Sequence, residues 1–196
     1  MKKGFTLLEL LIVIGILAIL STTMLLVINP AEMLRKARDS QRISDLNNLK
    51  SAISLYLTDV SSPNIGTSTW AYTHLSGAAI ACESTHTTYS SSTSQVITGT
   101  GWIPINFASI SGGSPISAEP IDPISSASPK ALYYTYLPYS DNTFELIANM
   151  ESTYYSNGGS GDVESKDGGS HAYLYEVGTK LGTLTAGPTC YGSSTP

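Results

Sequence analysis

The sequence predicts an α+β protein: a long N-terminal helix, membrane-spanning in its first half and amphipathic in its second, packed on a small antiparallel β-sheet head. Three observations predict it. Phe5–Ile28 is almost unbroken apolar sequence, interrupted only by Glu9, Gly15 and a few hydroxyl residues. From Ala31 to about Thr58 the apolar residues recur at helical spacing. Beyond Asp59, short strand-like runs alternate with stretches rich in Ser, Thr, Gly and Pro. The chain therefore divides into a short basic terminus (1–4), an apolar helix (5–28), an amphipathic continuation of that helix (29–58) and a β-rich head (59–196). Its 196 residues exclude a large multidomain enzyme, and 13% charged residues lie well below the ~25% of an ordinary soluble domain. A net charge of -5 lacks the basic excess of a general nucleic-acid binder, so no nucleic-acid partner is expected.

The first helix comes first in the argument. Phe5–Ile28 corresponds to roughly 36 Å of helix, enough to cross a hydrocarbon core of about 30 Å with some tilt. A secretory signal explains it poorly, because the apolar region is too long and no small-x-small cleavage site follows Met24-Leu25-Leu26-Val27-Ile28. A plain anchor explains the length but not Glu9, a carboxylate near the start of a membrane helix and hence a functional candidate.

Gly4-Phe5-Thr6-Leu7-Leu8-Glu9-Leu10-Leu11-Ile12-Val13-Ile14 resembles the N-terminal processing motif of type IV pilins and type II secretion pseudopilins. The correspondence lies in a short basic leader, Gly before the cut, Phe after it and Glu as the fifth residue of the mature chain. The resemblance implies a type IV pilin-like fold in which residues 1–4 are a prepilin leader peptide. A prepilin peptidase would cut after Gly4 and methylate the new amine of Phe5. Glu9 would attract that amine on a neighbouring subunit, a pairing that acts as a register device because two unpaired charges in a low-dielectric bundle are costly. The implied product is a structural subunit, not an enzyme. It would form filaments with itself and other pilins, with the peptidase/methyltransferase, the inner-membrane assembly platform and the membrane as its other partners. Its place would be the cytoplasmic membrane in a single pass, head outside the cytoplasm, and a surface or periplasmic filament after assembly. A different class of function is a minor tip subunit or membrane-anchored binding module with a ligand-recognising, Tyr-rich head.

Asn29-Pro30 interrupts the helix. Pro30 either kinks it, as in many relatives, or opens a second helix at its first turn. In the following stretch Leu46, Leu49, Ile53 and Tyr56/Leu57 share one face, while Glu32–Lys36 and Arg42–Asp45 have the spacing of ion pairs on a solvated face. Ala31–Lys50 holds five basic and three acidic residues, whereas Val60–Pro196 holds three basic and ten acidic ones. That separation suggests the basic stalk of one subunit meeting the acidic head of another. Arg35, Lys36, Arg38 and Arg42 oppose a leader-in orientation by charge count, but the processing motif requires the leader on the cytoplasmic side, where the peptidase works.

In the head, the strand candidates are Gln95–Thr98, Trp102–Phe107, Leu132–Leu137, Thr143–Asn149 and Ala172–Val177. Phe144, Leu146 and Ala148 share a face, as a half-buried strand requires, and Pro138-Tyr139-Ser140-Asp141-Asn142 forms a hairpin connection. Pro120-Ile121-Asp122-Pro123, Tyr133-Tyr134-Thr135-Tyr136 and Phe144-Glu145-Leu146 are loosely similar to the head of the major pseudopilins. The two cysteines, Cys82 and Cys190, are expected to form a disulfide if the head is extracytoplasmic, the alternative being two buried thiols; the spacing is wider than the C-terminal cysteine loop of many pilins. Residues 157–169 form an acidic, Gly-rich loop whose Asp162 and Asp167 suit calcium, the alternative being a solvated loop; no EF-hand spacing is present. His74, His86 and His171 show no metal-ligand spacing and no serine sits in a GxSxG elbow, so no catalytic or metal-ligating residue is assigned.

Overall fold

The computed structural model describes residues 4–75, 85–126, 130–182 and 184, with the backbone alone for 23–28. Helix α1 (Leu7–Ile28) and helix α2 (Pro30–Asp59) are separated by one residue, Asn29. Asn29 has φ 42°, a left-handed conformation that Asn tolerates better than most residues. Its side chain accepts the Glu32 N–H at 3.3 Å, capping α2, and Pro30 takes the first helical position, where its missing donor is not needed. Of the two readings of Pro30, helix opening describes this geometry. Among the described residues no helix is long and apolar enough to cross a membrane, so the membrane-spanning half of the expected fold rests on the sequence.

The amphipathic stripe of α2 is as expected: Leu46, Leu49, Ile53 and Tyr56 are buried against the head. The helix stops where Val60 turns extended, and Tyr56 then accepts the Asn64 N–H through its hydroxyl at 2.9 Å, holding the outgoing chain against the helix.

The head contains a five-stranded sheet: β1 (Trp70–Thr73), β2 (Thr88–Ser91), β3 (Thr135–Pro138), β4 (Phe144–Ala148) and β5 (Tyr175–Gly178), in the order β2-β1-β3-β4-β5. The expected antiparallel sheet is corrected to a mixed one, because β1 and β2 pair in parallel, Trp70 opposite Thr88. The other three pairings are antiparallel. The β3–β4 hairpin forms at the expected place, with Pro138 opposite Phe144 and Asn142 in the left-handed region at the turn.

Two expected strands are not strands. Gln95–Thr98 and Trp102–Phe107 meet only in the isolated bridge Thr98–Asn106. Pro104 removes a ladder donor in the second run, and its apolar residues Trp102, Ile103, Ile105 and Phe107 instead fill the core beside α2 as an irregular plug that ends in a short 3-10 turn at Phe107–Ser109. Strands β1 and β2 escape the sequence signals because Trp-Ala-Tyr-Thr and Thr-Tyr-Ser-Ser are short and weakly alternating. Strand β4 is buried on both faces. Phe144, Leu146 and Ala148 face the α2 core, while Ile147 joins Leu137, Tyr139 and Leu174 in a second cluster.

Candidate functional site

Gly4 and Phe5 precede α1 as non-helical chain. Nothing lies within 4 Å of where a Cβ on Gly4 would stand, and Phe5 is 86% exposed. Thr6 is the N-cap of α1: its Oγ1 accepts the Glu9 N–H at 3.2 Å, and Glu9 Oε2 accepts the Thr6 N–H and hydroxyl, both at 3.0 Å. This reciprocal capping box uses Glu9 to satisfy one of the orphan donors at the start of the helix, which gives the carboxylate a local role. The sequence carries a signal for this role, since Thr6-x-x-Glu9 has the spacing of a capping box. Beyond it, the large apolar side chains from Leu7 to Leu20 are exposed around the whole helix.

The second assembly of functional interest joins α2 to the head. Arg42 is fully buried and donates to three acids at once. Its Nε and Nη2 reach the two oxygens of Asp122 at 2.6 and 3.0 Å, and its Nη1 reaches Asp39 at 2.7 Å and Glu151 at 3.5 Å. Asp39 turns its two oxygens to the N–H groups of Glu151 and Ser152, at 2.8 and 2.7 Å, while Arg38 donates to Glu151 through Nε at 2.7 Å. Burial opposes the charge of Arg42, but its bonds to Asp122 and Asp39 outweigh it and raise its pKa. The Arg38 guanidinium holds the Glu151 carboxyl below its ordinary value. Each acid has an arginine partner and each of the six carboxylate oxygens accepts at least one hydrogen bond, the condition under which a buried ion network is tolerated.

This cluster corrects the solvated-face reading of the α2 charges. Arg42 pairs with Asp39 and Asp122, and Asp45 instead accepts the Tyr134 hydroxyl at 2.9 Å. Glu32 ion-pairs with Arg35 at 3.7 Å and accepts the Thr153 hydroxyl, while the Lys36 ammonium lies 4.3 Å from the Tyr154 ring centroid. The basic stalk thus meets acids of its own head. Glu119, Asp122, Glu145, Asp162, Glu164 and Glu176, six of the head's acidic residues, are buried and do not form an acidic outer surface.

Residues 1–25 match the family model described as the prokaryotic N-terminal methylation motif. The chain carries the type IV pilin and pseudopilin signature. No curated protein and no solved structure matches it. The motif indicates a type IV pilin-like or pseudopilin-type precursor, a structural type of protein.

Cys82 and Cys190 lie outside the described residues. Asp162 accepts the N–H groups of Gly158 and Ser165, each at 3.0 Å, and Asp167 those of Gly169 at 2.8 Å and Glu176 at 2.6 Å. Burial opposes the charge of Asp162, yet the Ser165 and Gly158 bonds draw it down to about 2, whereas burial pushes Asp167 up to about 6. Among the described residues no group of three or more His, Cys, Asp or Glu could hold a metal ion. His74 stands 3.1 Å from Ser125 Oγ, a contact invisible in the sequence. Its Nδ1 accepts the Tyr134 N–H at 3.4 Å, which places the ring proton on Nε2, and Ser125 donates to the Asp122 carbonyl at 2.7 Å. Burial lowers the imidazole to about 4. The histidine therefore donates to the serine and cannot take its proton, the reverse of nucleophile activation.

Proposed function

We propose that this chain is the precursor of a pilin or pseudopilin subunit that a prepilin peptidase cuts after Gly4 and methylates at Phe5, and that then polymerises into a type IV pilus-like filament or a secretion pseudopilus. The observation that carries the reading is the matched motif at the head of an apolar helix. The exposed non-helical Gly4-Phe5 suits an extended peptide in a protease groove, and glycine offers no side chain to obstruct it. Before assembly Phe5–Ile28 holds the chain in the cytoplasmic membrane, with residues 59–196 outside the cytoplasm. The exposed apolar side chains from Leu7 to Leu20 need lipid first and neighbouring helices afterwards, since exposure of so much apolar area to water is unfavourable. Glu9 serves its own helix through Oε2 and a neighbour's Phe5 amine in the assembled bundle.

Mass spectrometry of surface-sheared material tests this. The expected result is a mature chain starting at N-methylated Phe5; a chain that still begins at Met1 in assembled material overturns it.

A further inference from the structure

The segment 94–122 is a compact irregular lobe fastened by three backbone bonds, from Trp102 N–H to Ser94 O at 2.9 Å, from Phe107 N–H to Ile97 O at 2.8 Å and from Glu119 N–H to Gln95 O at 2.8 Å. Inside it, the Glu119 side chain is completely buried. Its Oε2 accepts the Ile103 N–H at 3.0 Å, and its Oε1 has no hydrogen-bond partner. The carboxyl packs directly on Gly101, where any larger residue would run into it. Next to it the Trp102 indole donates to the Pro120 carbonyl at 3.0 Å, so carboxyl and indole both tie residues 102–103 to residues 119–120.

No cation reaches this carboxyl among the described residues. The stretch packed on it, 94–103, contains no titratable side chain. On the far side of that contact Trp102 meets His74 edge-on, and His74 is neutral through burial. Three residues along the chain, Asp122 is neutralised by Arg42. An unpaired carboxylate in such a site is far more costly than a neutral acid, because a buried charge without a partner loses its full hydration. A proton on Oε1 leaves only a hydroxyl in an apolar site, and Oε2 keeps its bond to Ile103.

We propose that Glu119 is a protonation-controlled latch: the neutral acid holds the 94–122 lobe on the head, and loss of its proton releases the lobe. The same burial pushes the carboxyl up to about 8. The folded-state value is raised, so the latch contributes fully below the unfolded value near 4.5 and is lost as pH rises through about 8. Release draws Trp102, and with it Ile103, Ile105 and Phe107, out of the core and bares the apolar face of α2 that they cover.

The test is a titration of tryptophan emission from about pH 6 to about pH 10 on the full chain in detergent, with Trp70→Phe in the background so that Trp102 is the sole reporter. The expected result is a one-proton red shift centred near pH 8, absent in Glu119→Gln, which mimics the neutral acid. A flat wild-type titration, or a transition that persists in Glu119→Gln, overturns the proposal. Infrared difference spectra of the protein with native Glu119 provide a readout independent of the folding of the variant. A protonated-carboxyl band should vanish over the same range, and its absence at the low end overturns the latch.

Discussion

Replacing Arg42 with alanine removes the cation that joins the stalk to the head. Two bonds to Asp122, one to Asp39 and the long one to Glu151 disappear, but the consequences for the two fully buried acids differ. Asp39 keeps the Glu151 and Ser152 amides, and Asp122 Oδ1 keeps those of Ile124 and Ser125. Asp122 Oδ2 is left buried without a donor. Stranding one partner of a buried ion pair costs ~3–5 kcal/mol. At ~2–4 °C per kcal/mol for a chain of this size, the melting temperature should fall by roughly 10 °C. Thermal unfolding of the full chain in detergent, followed by circular dichroism, reads this directly. A cycle with Arg42→Met and Asp122→Asn should return a coupling above about 2 kcal/mol, and the gap should persist at high salt because buried pairs are little screened. A loss below about 1 kcal/mol for Arg42→Ala, or additive single variants, would refute the clamp.

Four further outcomes follow from the same structure. A bulkier residue at Gly4 should leave an unprocessed, slightly larger chain on a gel while the head folds normally. Glu9→Ala should be processed and retained in the membrane yet assemble poorly, and it should also fray the first turn of α1 through loss of the capping box; normal filament numbers would count against its role in register. Acid should loosen the stalk–head contact: Glu151 is held below its ordinary value by Arg38, so its contribution is present above the unfolded value near 4.5 and is lost as pH falls through the lower folded one, an effect that Glu151→Gln should remove from the pH–stability curve. Finally, calcium and chelators should leave the melting temperature unchanged, because Asp162 and Asp167 already spend their oxygens on amides of their own loop; a calcium-dependent rise would show that the loop opens to bind the ion.

The features legible in the sequence were those written in contiguous residues. The motif from Gly4 to Glu9, the apolar run to Ile28, the interruption at Asn29-Pro30, the Leu46–Tyr56 stripe and the Pro138–Asn142 hairpin all depend on neighbours within a turn or two of one another, so spacing alone specifies them. Thr6 and Glu9 belong to the same class, and their pairing could have been read from three-residue spacing. Only the folded chain decided the rest. Arg42 finds Asp122 across 80 positions, in preference to the nearby Asp45 that helical spacing offered, because burial of the Leu46–Tyr56 stripe carries the adjacent charged turn into the head. Glu119 and Asp141 are both simply acidic residues in a polar region of sequence, yet one is sealed beneath Gly101 and the other lies at an exposed turn. The parallel β1–β2 pair, likewise, joins residues 18 positions apart, beyond the reach of local spacing. A residue's type fixes what it can donate, accept or ionise; which partner it meets, and how far from water, is set by long-range packing that local spacing does not encode.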